Sequence, residues 1–281
     1  MFWKGFASPP KTVAPETPAF RPGSAPTALK GVVSTGVSFT MSKRQAFPAA
    51  LFDQVGLNRQ HLFNLDSLPG DIRAKLGDTG NFRQLILLGH GGKRLWECVQ
   101  AADLPGDDPI DDYVMQSIRQ IFARHLGHKN YRVVYPGDTP MGLQQLGKLA
   151  GWHQSSPFMV GIDAVWGSWF AYRAVILADT DFLPILPVDR SASRHASDQA
   201  HPCSNCSEPP CMTACPAGAV TNEAFALAEC LAYRQSPASA CQFTCLARVA
   251  CPVGSEHRYN ADQLRHCYGI SLRLIRQFTS G

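Results

Sequence analysis

Eight of the ten cysteines in this 281-residue chain lie between Cys203 and Cys251, and no other feature constrains its fold as much. They form two runs. The first is Cys203-Ser204-Asn205-Cys206, then Cys211 and Cys215-Pro216-Ala217-Gly218; the second is Cys230, then Cys241 and Cys245, then Cys251-Pro252-Val253-Gly254. Both close on Cys-Pro-x-Gly, which makes the region an internal repeat. The proline ends the loop because it fixes φ and removes a donor. The glycine after it suits a tight turn or a close backbone approach.

A four-iron cube needs four converging thiolates, and one short loop supplies three. In the two-cluster ferredoxin arrangement the cysteine before proline reaches across to the other cluster. Applied to this chain, the rule predicts one 4Fe-4S cluster on Cys203, Cys206, Cys211 and Cys251, and a second on Cys230, Cys241, Cys245 and Cys215. Structural zinc is the competing reading, but it favours paired knuckles of four ligands in all and does not call for two Cys-Pro-x-Gly endings. Disulfides are the third, set against a chain with no export signal. The spacing departs from bacterial ferredoxins: four residues separate Cys206 from Cys211, three separate Cys241 from Cys245, and five separate Cys245 from Cys251. Cys98 and Cys267 lie outside the repeat on apolar-patterned segments and read as buried free thiols.

Composition narrows the rest. A hydrophobic fraction of 45% and a charged fraction of 17% describe a globular protein. The net charge of +4, from 26 basic and 22 acidic side chains, argues for no nucleic-acid stripe; it suits at most docking to an acidic redox partner. No apolar run approaches the ~18 residues of a spanning helix. Residues 1–45, with six prolines between Pro9 and Pro26, read as a disordered extension. The expected compartment is the cytoplasm, or a mitochondrion or other organelle if the extension is a transit peptide. Met41 offers a second start.

Residues 46–190 carry the alternation of an α/β (α+β) body. Leu85-Ile86-Leu87-Leu88-Gly89, Tyr131 to Tyr135 and Phe170 to Ala178 read as strands. Val114, Ile118, Ile121, Phe122 and Leu126 recur at helical spacing behind the acidic start Asp107-Asp108-Pro109. Residues 187–202 lose apolar content and read as a linker. The ferredoxin-like two-cluster module is expected over residues 198–256, and a closing helix over 257–281.

The order Gly167-Ser168-Trp169-Phe170, Ile176-Leu177-Ala178-Asp179, linker and eight cysteines resembles epoxyqueuosine reductase, a cobalamin-dependent two-cluster family acting on tRNA. The single cysteine 15 positions beyond the first Cys-Pro is Cys230. The resemblance implies a bound corrinoid lined by Trp152, Gly167, Ser168, Trp169 and Phe170. It also implies that Asp138, shortly before Pro140, acts as proton donor. The chain departs from the family at three places. The lysine after the Gly-Trp stretch is replaced by His153-Gln154-Ser155, the aspartate stands one position nearer its proline, and the helical-repeat tail that helps hold tRNA is missing.

Three functions stay open: an electron-transfer protein served by a flavodoxin- or ferredoxin-like donor, a corrinoid-dependent reductase, and a protein in which the clusters are structural staples. A tRNA partner follows only from the second. Gly89-His90-Gly91-Gly92 reads as a plain turn rather than a phosphate cradle. His90 and His153 read as hydrogen-bonded histidines rather than cobalt ligands, and Trp166 fits a flat cofactor pocket and core packing equally.

Overall fold

The computed structural model describes residues 44–137, 141–185, 201–204 and 206–279. Its frame is a four-stranded antiparallel sheet of β1 (Arg59–Asn64), β2 (Gln84–Gly91), β3 (Tyr131–Tyr135) and β4 (Phe170–Ala178), in the order β1-β2-β4-β3. The two central strands are buried almost along their whole length, which is why they read as continuous apolar runs. Alternation then sorts their side chains. Ile86, Leu88, Ala174, Ile176 and Ala178 face one way, into a core with α1 (Ala49–Gln54), α3 (Arg94–Ala102) and α4 (Pro109–His125). Leu85, Leu87, Val175 and Leu177 face the other way, against α2 (Gly70–Lys75), α5 (Leu143–Leu149) and Trp152. The body is therefore mixed α/β around a small antiparallel sheet with helices on both faces.

The α4 helix starts as its acidic prefix predicts: the Asp108 carboxylate accepts from the Asp111 N–H, Pro109 opens the first turn, and Arg124 and His125 close the last. Strand β1 lies outside the sequence expectations, because its polar start Arg59-Gln60-His61 disguises it.

The cysteine region holds short helices: α6 (Pro210–Thr213), α7 (Leu227–Gln235), α8 (Leu246–Ala250) and the long α9 (Ala261–Thr279). Cys211, Cys251, Val220 and Ala247 form a third buried cluster with Phe158 and Ile162 of the body. No helix among the described residues is long and apolar enough to cross a membrane. The expectations for residues 1–43 and for most of the 187–202 linker lie outside the described residues.

Candidate functional site

The two short helices α6 and α8 lie against each other. Each is stopped just ahead of its Cys-Pro, so Cys215 and Cys251 are delivered at the ends of two neighbouring helices. The thiols then act on one another in two separate quartets. Burial, followed by the charges of Cys251, Cys206 and Cys211, pushes the Cys203 thiol up to about 11. Burial and then Cys251 also push Cys211 up, and burial and Cys206 push up Cys251. In the other quartet, burial and then Cys245 push Cys230 up to about 11, with smaller contributions from Cys215 and Cys241. Cys241 and Cys245 are raised first by burial and then feel each other or Cys215. Every thiol–thiol influence on these six cysteines stays within its own quartet. Each quartet draws its Cys-Pro cysteine from the other run.

Backbone donors point at the sulfurs. The Val253 N–H serves Cys251, Leu246 serves Cys241, Arg248 serves Cys245, and Met212 serves Cys211. Such bonds favour the thiolate that a metal requires. A cavity of about 390 Å³ opens on the first quartet, with Cys203, Cys206, Cys211 and Cys251 in its wall beside Phe158, Met159 and Phe225. Among the described residues no three His, Cys, Asp or Glu side chains converge as the ligands of a single metal ion do. Four thiols with amide donors suit a cube, whose irons sit at separate corners.

Cationic side chains are shared unequally. Arg234, 7% exposed, donates to the Cys241 carbonyl at 3.2 Å and the Tyr268 carbonyl at 3.1 Å. Arg248, 5% exposed, lies 4.4 Å over the Trp169 ring and 5.1 Å from the Tyr259 ring, and its Nε donates to Ser168 Oγ at 3.2 Å. Both are buried beside the second quartet. The first quartet has the half-buried Arg258, and Glu223 lines its cavity.

The residues expected to hold a corrinoid occupy a different place. Ser168 and Trp169 are fully buried, and both are engaged by Arg248. Gly167 sits at φ +55, and a Cβ there would strike the Val253 carbonyl. Trp152 and Phe170 sandwich the Arg59 guanidinium at 4.7 and 4.5 Å, while Arg59 itself pairs with Asp163 at 2.8 Å. Gly167-Ser168-Trp169-Phe170 thus forms the joint between the sheet and the cysteine region. The cavity of about 390 Å³ opens on the first quartet. Asp138 lies outside the described residues.

The remaining candidates resolve into packing. Gly89 and Gly91 belong to β2, where a Cβ would meet Ala171 and Trp152, or the Trp166 ring; the cluster is therefore a strand end and not the turn expected. His90 is fully buried between Arg173 and Tyr259. Arg173 Nε donates to its Nδ1 at 3.0 Å, so the ring proton sits on Nε2, 3.0 Å from the Tyr259 hydroxyl. Burial, then Arg173, holds its pKa well below the ordinary range. His153 Nδ1 meets the Tyr172 hydroxyl at 3.1 Å, and burial lowers its pKa to about 4. Cys98 and Cys267 are half-buried rather than buried. Sequence reasoning missed Arg59, Asp163, Arg234 and Arg248. A lone arginine carries no signal of the partner it will find far along the chain.

No family model matches the chain, and no curated protein matches it. Solved structures that resemble it include epoxyqueuosine reductase from Streptococcus thermophilus, at 13% identity and a TM-score of 0.42, covering 73% of this chain and 64% of that one. A Bacillus subtilis epoxyqueuosine reductase with its catalytic loop swung out of the active site gives 12%, 0.43, 75% and 66%. An epoxyqueuosine reductase with an epoxyqueuosine-modified tRNA stem loop gives 12%, 0.44, 77% and 68%. The chain spans slightly less than two thirds of the Streptococcus enzyme. At these scores the likeness concerns coarse fold alone.

Proposed function

We propose that the chain is a redox protein carrying two 4Fe-4S clusters, one held by Cys203, Cys206, Cys211 and Cys251, the other by Cys215, Cys230, Cys241 and Cys245. The observation that carries this reading is the separation of the thiols into two quartets, each completed by the other run's Cys-Pro cysteine. When bound, each cluster supplies a one-electron couple. The chain's own residues position the thiolates, aim amides at the sulfurs and bury two arginines beside the second quartet.

The test is anaerobic reconstitution followed by iron and sulfide analysis. Two cubes require about eight of each; zinc without sulfide would end the reading. Cys215→Ala should damage the cluster of Cys230, Cys241 and Cys245, and Cys251→Ala the other. Loss of the sequence-local cluster in each variant would refute the crossing. Potentiometric reduction separates electron transfer from a structural role, because clusters serving only as staples need not be reducible. Titration with cobalamin tests the corrinoid-dependent reductase: micromolar binding with a spectral change would favour it.

A further inference from the structure

The net charge of the chain has an address. Residues 230–281 contain six arginines, no lysine and two acids, Glu256 and Asp262, so they carry the whole +4; the other residues hold twenty of each sign. Arg234 and Arg248 of this set are buried. Arg265, Arg273 and Arg276 are exposed on α9, at spacings of eight and three that place them along one face of the helix.

Phe243 lies at the edge of that face, 40% exposed. Its ring is 3.8 Å from the Cβ position of Gly269, and the Arg265 guanidinium is 5.1 Å from its centroid. It is also the middle residue of Cys241-Gln242-Phe243-Thr244-Cys245. An exposed aromatic thus stands two residues from each of two second-quartet thiols, with the Arg265 guanidinium over its ring. An exposed aromatic beside cationic side chains suits a binding hot spot, and three exposed arginines against the one carboxylate of Asp262 on the same helix steer an acidic partner.

We propose that Phe243 and the arginine face of α9 form the docking surface for an acidic one-electron carrier protein, which delivers its electron to the second quartet's cluster. This rests on the two-cluster reading. The reduced carrier loses one electron and the oxidised cluster gains it, and no bond or proton is transferred. Buried Arg234 and Arg248 favour that step, because they stabilise the added negative charge. RNA also accepts arginine and an aromatic ring. The placement of this face over a thiol loop favours the carrier, since an electron donor gains from a short path to the cluster and an RNA does not.

The experiment uses the full reconstituted chain and an acidic flavodoxin in its reduced form as probe. Stopped-flow reduction and titration calorimetry are run over a range of ionic strength. Arg265→Glu with Arg273→Glu should slow reduction and weaken binding at least tenfold at low salt. Both should fall with salt for the unaltered chain, and iron, sulfide and both cluster spectra should stay unchanged in the variant. Arg124→Glu, at an exposed position in the last turn of α4, is the control and should leave the rate alone. Equal losses in the control and the double variant would overturn the proposal. So would tighter binding of a single-stranded RNA than of flavodoxin at the same face. An unaltered chain that takes up no iron and sulfide would instead overturn the cluster reading, and the docking proposal with it.

Discussion

Replacing Arg248 by methionine separates the electrostatic role of this side chain from its packing role. The guanidinium is buried, donates to Ser168, and lies between the Trp169 and Tyr259 rings. Among the described residues no carboxylate pairs with it, unlike Arg59 with Asp163 or Arg173 with Asp111. Beyond the tyrosines, the opposite charge that acts on it is the Cys245 thiolate. Cys245 is the N-cap residue of α8, and the Arg248 amide three residues on donates to its sulfur. A unit charge acting across ~7 Å at an effective dielectric of about 20 is worth about 2 kcal/mol, or about 100 mV for a one-electron couple. Arg248→Met should therefore lower the potential of the second cluster by about that amount and leave the first nearly unmoved. It should also cost stability, on the order of 2–4 kcal/mol, because Ser168 and the two rings lose their partner. Arg248→Lys keeps the charge and should retain most of the potential while losing part of the stability. The assay is a redox titration followed by electron paramagnetic resonance, with a thermal melt alongside. A shift confined to the first cluster, or equal shifts in both, would refute the assignment of Arg248 to the second quartet.

Two glycines of the repeat give a paired prediction. Gly218 and Gly254 share φ +61, but a Cβ at Gly218 meets nothing within 4 Å, whereas one at Gly254 would strike Trp166 and the Gly167 amide. Gly218→Ala should cost ~1–2 kcal/mol of backbone strain, and Gly254→Ala a further ~1–3 kcal/mol from overpacking, read by denaturant unfolding. His153 gives a pH dependence: its folded pKa of about 4 lies below the ordinary 6.5, so the unfolded chain takes up a proton first. Stability at this site should be full above about pH 6.5 and decline as pH falls toward 4. His153→Gln should flatten the decline in melts across that range.

Much of the fold follows from features that act locally. Strands β2 and β4 are buried on both faces, so their apolar runs needed no knowledge of a partner. The α4 helix announced itself through acids, proline and a 3.6-residue period. Strand β1 did not, because Arg59 enters a buried position only when Asp163 arrives from 104 residues away to neutralise it. The same holds around the cysteines. Their number and the two Cys-Pro endings are local facts, whereas the arginines beside the second quartet are placed by tertiary contacts with Ser168, Tyr268 and Ser271.

The Gly-Ser-Trp-Phe segment shows how one sequence signal is compatible with two tasks. Aromatic residues beside a glycine suggest a flat pocket, and a flat pocket is where a large cofactor would go. The same composition serves a close joint equally well. Gly167 lets the chain approach the Val253 carbonyl, and Gly254 returns the approach toward Trp166. Trp169 then fills the space behind them under Arg248 and the Tyr259 ring, 5.4 Å away. Because Gly254 belongs to the second Cys-Pro-x-Gly and follows Cys251 by three residues, the joint clamps the chain immediately after a first-quartet thiol. On its other side, Arg248 ties the same joint to Cys245 of the second quartet. The body therefore meets both quartets at one place. A change in Trp169 should disturb the two clusters together, whereas a change in a single cysteine should disturb chiefly the cluster that it ligates.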